Sequence, residues 1–468
     1  MLEPQGTLFF LLLMVAFGGL LTWLALTKQI VFRVLAACLA FIPAMVFGIA
    51  AVNKYYDYYQ TWGALFSDVS GQAQSTVPQL SAAGLGTGSK KGALTGPTNT
   101  ALEAQLGLLS RTTITGPRSH ISRQVYVYLP PQYFRKAYAH YRFPAIELLH
   151  GSPGEPATWI DVLNVIQIYL HLLAIGKAAP AVLVMPDTDG GLQYSLQCLN
   201  DPHGLQDMTY VGQEVPNWVA ANLRVQRPGL MWGIAGYSEG GYCAANIALQ
   251  YATRYGYAGV LSGYFAPIVS QVPAGGKPGG RPRDVKVFAH DPRLLMLNSP
   301  DKYILHIPVG IQVPQFFLAA GSEDVADVAA ADNFAQLLQF RVAEAQPPMV
   351  VQGGGHQARV WRAALTPMLS WMTVQLAQQV VHFTQVDKER AAEAAKAARS
   401  HQHKVPVKAP KVPVKVKAPH TPPAHPTALS LALFRLRLST RLLPDRRPAV
   451  AIESRRADRL IPHRSLRR

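Results

Sequence analysis

The chain opens with two long stretches from which polar positions almost vanish. Residues 7–27 carry no charge and are dominated by Leu, Phe, Val and Ala, and residues 34–53 are likewise uncharged and apolar. Each is about 20 residues, enough for a helix to cross a hydrocarbon layer of roughly 30 Å. The pattern predicts a transmembrane helical hairpin over residues 1–60, with Lys28 and Arg33 at its turn. A cleaved leader fits less well, because Met1 to Gln5 offers no basic residue ahead of the first apolar run. Behind the second run, Tyr55, Tyr56, Tyr58 and Tyr59 cluster where a membrane interface buries a ring and leaves its hydroxyl wet.

The pattern then changes twice. Residues 61–109 are rich in Gly, Ser, Thr, Ala and Gln, and read as a flexible linker. A span of about 40 such residues has a root-mean-square reach of roughly 35 Å, which keeps whatever follows near the membrane. From 110 to 386 short apolar runs alternate with longer helical periods. Strands are expected at Val125–Leu129, Ala145–Leu149, 181–185, Leu230–Ala235, Val260–Phe265, Gln315–Ala320 and Met349–Gln352. Helices are expected at 156–176, 213–224, Gly241–Leu249, 327–344 and 358–381. Alternation of this kind builds an α/β domain, a mostly parallel sheet flanked by helices. Residues 273–305, with Pro273-Ala274-Gly275-Gly276 and Pro278-Gly279-Gly280, fit the alternation poorly and read as an insertion, either a pocket wall or a surface loop.

Beyond residue 386 the chain turns basic. Asp387 to Arg399 continues the last helix, His403 to Pro426 repeats Lys-Val-Pro and Lys-Ala-Pro units, and Leu429 to Arg468 mixes Leu with Arg. Proline removes backbone donors and fixes φ, so residues 387–468 form a largely disordered tail. That tail holds 20 Lys and Arg against 6 Asp and Glu, a net of +14 out of +17 for the chain, so everything before it carries only +3. The high isoelectric point therefore belongs to the tail, which suits contact with an anionic lipid or polymer, or simple solubility. The body does not have the charge of a nucleic-acid-binding domain. No cofactor motif is present, and His401 and His403 have no partner ligands nearby, so no metal is expected.

Chemistry enters at Gly236-Tyr237-Ser238-Glu239-Gly240, a G-x-S-x-G sequence between a strand and a small-residue helix. That is the setting of a nucleophile elbow, which lifts a serine hydroxyl above the sheet. A serine needs a base and a group that orients the base. Downstream, one strand runs into Gly321-Ser322-Glu323-Asp324 and another into Gly353-Gly354-Gly355-His356. Upstream, a strand runs into His150-Gly151-Ser152-Pro153-Gly154, the type of loop that supplies half of an oxyanion hole. Ser238 is the candidate nucleophile and His356 the candidate base, with Glu323, Asp324, Asp327 and Asp332 as candidate acids.

The segments ELLHGSPGEPATW, VMPDTDGG, GYSEGG, AAGSED and QGGGHQARVW resemble the esterase branch of the α/β-hydrolases, across roughly residues 110–380. That branch holds esterase D-like enzymes, feruloyl esterases and, more distantly, the mycolyltransferases. The resemblance implies an α/β-hydrolase fold and a serine esterase that forms an acyl-enzyme. It selects Asp324 as the acid through a G-x-x-D pattern, while the mycolyltransferase pattern would favour a position like Asp332. It implies backbone donors from Glu239 and Ser152 in the oxyanion hole; Pro153, where other members have a residue with an N–H, cannot donate. It also implies a Cys198–Cys243 bridge beside the site, and with it an oxidising compartment. Positive-inside logic puts Lys28 and Arg33 in the cytoplasm and the catalytic domain outside it, at the cell membrane. The expected substrate is a small-molecule or cell-envelope ester. The rivals are an acyltransferase that hands the acyl group to a sugar hydroxyl, and an inactive tethered scaffold.

Overall fold

Strand after strand in the middle of the chain is apolar on both faces, and that dictates the architecture. Every residue of β5 (Ala145–Leu149), β6 (Val182–Pro186) and β8 (Tyr255–Leu261) is buried, as expected for strands covered by helices above and below. A computed structural model describes residues 2–69, 79–80, 94–95, 100–191, 197–202, 204–268, 292–342 and 345–402. Among the described residues, ten strands form one sheet in the order β10-β9-β8-β7-β5-β6-β4-β3-β1-β2. The strands β5 to β10, completed by β7 (Gly229–Tyr237), β9 (Gln315–Gly321) and β10 (Met349–Val351), run parallel. Two antiparallel strands, β3 (Leu108–Thr115) and β4 (Ser122–Leu129), extend the sheet beyond β6. Two-residue strands β1 (Gln79–Leu80) and β2 (Leu94–Thr95) finish that edge. This is the expected α/β-hydrolase architecture.

Two N-terminal helices precede it, α1 (Thr7–Leu26) and α2 (Ile30–Tyr56), each long and apolar enough to cross a membrane. They pair antiparallel, with Phe10 edge-on to Phe47 and Trp23 beside Phe32. Their large side chains face outward: Val15, Leu26, Ile30, Val31, Phe41 and Ile49 are all exposed. The hairpin's distal end is fastened to the globular domain. Arg362 pairs with the Asp57 carboxylate and also donates to the Asp57 carbonyl at 3.3 Å, while the Tyr58 hydroxyl lies 3.4 Å from Thr158 Oγ1. Tyr58 and Tyr59 pack against the core on that face of the sheet.

Several boundaries differ from expectation. Within the stretch read as linker, a helix α3 (Trp62–Val69) follows the hairpin, a further helix covers Thr100–Leu106, and the first long strand starts at Leu108. The apolar alternation of Leu108, Ser110, Thr112 and Ile114 is weak in sequence because Ser110 and Thr112, though polar, are the buried positions. The helix read over 156–176 is two, Thr158–Asp161 and α4 (Val165–Ala174), parted by Asn164 in a left-handed conformation. The strand placed at Val260–Phe265 lies earlier, because Tyr255 to Leu261 pairs with β7 and Ser262 at φ 48° turns the chain away. A π-helical turn, Tyr210–Glu214, leads into α5 (Val215–Asn222). The helix α6 (Glu239–Gln250) starts at the residue after Ser238, α7 (Val325–Gln339) starts two residues earlier than expected, and α8 runs from Ala358 to Gln402. Of the insertion at 273–305, residues 273–291 lie outside the described residues, as do 403–468 of the tail and with them His403; short helices occupy Pro292–Leu297 and Pro300–Tyr303.

One buried group has a pH consequence. Glu147, in the centre of β5, is fully buried and accepts a 2.7 Å hydrogen bond from the Tyr255 hydroxyl. Burial pushes its carboxyl up to about 8, against a Tyr255 bond and an Arg254 charge that pull the other way. The folded state therefore binds a proton that the unfolded chain releases near its ordinary 4.5. The resulting stability is complete below pH 4.5 and is lost as pH rises to about 8. Glu147→Gln keeps an acceptor for Tyr255 but cannot ionise, so its thermal midpoint should gain steadily on wild type from pH 5 to pH 8.5. A constant difference across scans at those pH values would contradict this.

Candidate active site

The elbow is built by close backbone approaches. A Cβ on Gly236 would lie 2.0 Å from the Gly240 carbonyl oxygen, and one on Gly240 would lie 2.2 Å from the Leu149 carbonyl oxygen. Both positions therefore admit only glycine. Between them the chain reverses at Ser238 with φ 55° and ψ −126°, a region that L-residues rarely occupy. The Ser238 N–H donates to Leu261 O at 2.9 Å, which ties the turn to the end of β8. Ser238 thus stands at the tip of β7, at the N-terminus of α6.

The loops that follow β9 and β10 come to this tip. His356 Nε2 is 2.9 Å from Ser238 Oγ. Its other nitrogen, Nδ1, faces two carboxylates, Asp324 Oδ2 at 3.0 Å and Asp327 Oδ2 at 2.9 Å. Asp324 caps α7, accepting from the Asp327 N–H at 3.3 Å through Oδ1, so the i and i+3 side chains share one face at the helix start. The glycine loop is held by its neighbour: Gly353 N–H donates to Ser322 Oγ at 3.0 Å, and Glu323 N–H to Gly354 O at 2.9 Å. The imidazole stands edge-on to Trp361, with ring centroids 5.3 Å apart, and Trp361 stacks on Tyr237 at 4.5 Å.

Of the four acidic candidates, Asp324 and Asp327 therefore both reach the imidazole. Glu323 and Asp332 are exposed, and neither is a partner of Nδ1. The second carboxylate was legible as a candidate, but not as a simultaneous partner. The signal was the Asp-x-x-Asp spacing at a helix start, where the first residue caps the N–H of the fourth. Burial pushes the Asp327 carboxyl up to about 6, helped by the adjacent Asp324 and opposed by the hydrogen bond to His356. Burial alone would lower the His356 pKa, but the hydrogen bonds and charges of Asp327 and Asp324 outweigh it and hold the imidazole above its ordinary 6.5.

The loop after β5 lies against the elbow: a Cβ on Gly151 would come within 3.0 Å of Ser238 Cβ. His150 does not reach the nucleophile. Its Nδ1 lies 2.9 Å from Gly151 O and its Nε2 accepts the Thr188 N–H at 3.0 Å, so the buried ring braces two loops. Burial alone would lower its pKa, but Asp187, 3.7 Å away, and Asp189 hold it above the ordinary 6.5. Glu239, at the first turn of α6, is buried and accepts the Gln197 N–H at 3.0 Å. Next to it Cys198 and Cys243 form a disulfide with Cα atoms 5.6 Å apart. The third cysteine, Cys38, is free and exposed on α2.

Among the described residues, two groups bring three potential metal donors together, Asp324–Asp327–His356 and His150–Asp187–Asp189. In the first, His356 is spanned between Ser238 and the carboxylates; in the second, His150 Nε2 already accepts from Thr188. Both nitrogens are thus engaged in hydrogen bonds within the protein.

A cavity of about 950 Å³ opens over Ser238 and His356. Ser152, Gly154, Tyr237 and Trp361 form one wall. Residues of the N-terminal hairpin line the cavity as well: Phe9, Ile49, Ala50, Tyr58 and Tyr59. Sequence reasoning placed these tyrosines at a membrane interface and gave no sign that they also border the active centre. Nothing local marks such a contact, which joins residues some 300 positions apart, as in Asp57 to Arg362.

A family model described as "Putative esterase" matches residues 118–372. An uncharacterized protein of Corynebacterium glutamicum is 26% identical over 353 residues, covering 73% of this chain and 76% of the relative. Among solved structures, a ferulic acid esterase matches 57% of this chain and 98% of its own at 21% identity and a TM-score of 0.47. An S-formylglutathione hydrolase of Staphylococcus aureus does so over the same shares at 18% identity and a TM-score of 0.45. The enterobactin esterase of Shigella flexneri matches 56% of this chain and 59% of its own at 20% identity and a TM-score of 0.41. Because the family model spans more than half of its length, this chain belongs to the Putative esterase family.

Proposed function

We propose that this protein is a membrane-tethered serine esterase whose catalytic domain faces away from the cytoplasm and which cleaves carboxylic esters through an acyl-enzyme on Ser238. The observation that carries the reading is the 2.9 Å contact between Ser238 Oγ and an imidazole whose far nitrogen is held by carboxylates. In this scheme Ser238 Oγ attacks the ester carbonyl while His356 Nε2 takes its proton. The Nδ1–H donated to Asp324 fixes the tautomer that leaves a lone pair on Nε2, and the carboxylate stabilises the imidazolium that forms. Backbone N–H groups of Glu239 and Ser152 receive the charge that develops on the carbonyl oxygen. His356 then returns its proton to the departing alcohol, and water repeats the sequence to free the acid.

Asp324 is favoured as the orienting acid because its other oxygen is committed to capping α7, which immobilises it. Burial raises the carboxyl of the second partner, Asp327, to about 6. Membrane tethering rests on the two apolar helices, and the outward orientation on Lys28 and Arg33 at the hairpin turn together with the disulfide.

A fluorophosphonate probe should label the wild-type protein and leave Ser238→Ala unlabelled; an unlabelled wild type would favour an inactive scaffold. Asp324→Asn should lower kcat by roughly 10³–10⁴-fold, as when a triad acid is neutralised, whereas Asp327→Asn should cost far less; the reverse order would exchange their roles. Because His356 must be neutral to accept a proton, kcat/KM should rise with pH through a midpoint above 6.5. Asp327→Asn removes one cause of that upward shift, so the midpoint should move to lower pH in a rate profile on p-nitrophenyl acetate. Alkylation of isolated cell membranes should reach Cys198 and Cys243 only after reduction; both thiols reacting beforehand would argue against the outward placement.

A further inference from the structure

Part of the lining of the cavity that holds Ser238 does not come from the catalytic domain. It is the outer end of the hairpin: Phe9 from α1, Val46, Ile49 and Ala50 from α2, and Trp62 from α3. Phe9, Val46, Ile49 and Ala50 belong to the two helices long enough to span a bilayer. At 27 residues, α2 is about 40 Å long and so exceeds a hydrocarbon layer of roughly 30 Å. Its last turns, up to Asn53 and Tyr56, then rise to the headgroup level while Val46 and Ile49 remain at the apolar border. The docking is specific: Arg362 with Asp57 and Tyr58 with Thr158 hold this end against the active-site rim, while Asn53 Oδ1, accepting the Tyr59 N–H at 2.8 Å, fixes the turn that leaves α2. The polar lining residues Ser152, Thr158, Ser238 and His356 come from the catalytic domain, whereas Phe9, Val46, Ile49 and Ala50 of the hairpin are apolar.

We propose that the substrates are lipid esters with a long apolar chain, delivered sideways from the membrane, the chain lying along Ile49 and Ala50 while the ester reaches Ser238. This rests on the esterase reading given above and adds its substrate class. A chain that slides along these side chains never leaves an apolar environment, whereas a route through water would expose every methylene. The reaction is hydrolysis: a bond forms between Ser238 Oγ and the acyl carbon, the bond to the alcohol oxygen breaks, the serine proton passes through His356 to that oxygen, and water then releases a carboxylic acid. The apolar chain belongs either to the acyl group or to the alcohol.

The full-length protein in phosphatidylcholine nanodiscs tests this with three esters: p-nitrophenyl palmitate, hexadecyl acetate and water-soluble p-nitrophenyl acetate. Wild type should prefer at least one of the long esters over p-nitrophenyl acetate by tenfold or more in kcat/KM, and which one identifies the side that carries the chain. Ala50→Trp, which fills the groove at a buried position, should cut that preference at least tenfold. Ile49→Trp, at a position 64% exposed and so tolerant in folding, should cut it in the same direction. Fluorophosphonate labelling reports an intact site in each variant. A wild type that is labelled and hydrolyses p-nitrophenyl acetate but shows no long-chain preference overturns the lipid proposal and leaves the esterase standing. A preference unchanged in both labelled variants also overturns it. A wild type that is neither labelled nor active on any ester overturns the esterase reading itself.

Discussion

Everything at this site depends on one backbone reversal. Ser238 can hold φ 55° and ψ −126° only because Gly236 and Gly240 let main chain pass main chain at distances no side chain would allow. The strain of an L-residue in that region, of order 1–3 kcal/mol, is offset by the surrounding sheet and by the bond from Ser238 N–H to the end of β8. The result is a hydroxyl at the rim of the sheet, at the start of a helix, within reach of loops from β5, β9 and β10. Those strands lie at or near β7 in the sheet order, so residues far apart in sequence meet at one edge.

The second constraint is electrostatic. One imidazole nitrogen faces two carboxylates, and a single N–H cannot satisfy both fully. Burial and mutual proximity raise Asp327, while the pair together holds His356 above its ordinary pKa. The His356 ring is partly open to the cavity and the carboxylates lie behind it, so the charge that stabilises the imidazolium is shielded from water more than the base itself, with side-chain exposures of 16% and 15% against 40%. His150, by contrast, has both nitrogens engaged by loop backbone, which explains why a histidine beside the elbow serves as a brace.

The third is the hairpin. Two helices with outward-facing apolar side chains would be a passive anchor if a free linker followed them. Here the link between Asp57 and Arg362, with Tyr58 and Tyr59 packed into the core, brings the helix ends to the nucleophile's cavity. Arg362 belongs to α8, which starts two residues after His356, so one helix carries both the support of the imidazole at Trp361 and the clamp on the hairpin.

The chain's local patterns were enough to place the parallel sheet, the elbow, the glycine loop that carries His356 and two membrane-length helices. Each is encoded over a few neighbouring residues: apolar periodicity, glycines at fixed offsets, or an unbroken apolar run. Where local signals were ambiguous, the boundaries moved, as at Tyr255–Leu261, where register against β7 decided the strand, and at Leu108–Thr115, where buried Ser110 and Thr112 hid the alternation. The second carboxylate on His356 and the hairpin wall of the cavity belong to a different class. Both depend on which surfaces meet once the sheet has twisted and the helices have docked, and a one-dimensional pattern carries no record of distances across the fold. Tertiary structure alone decided that Asp324 and Asp327 share one nitrogen, and that the active centre opens toward the apolar helices.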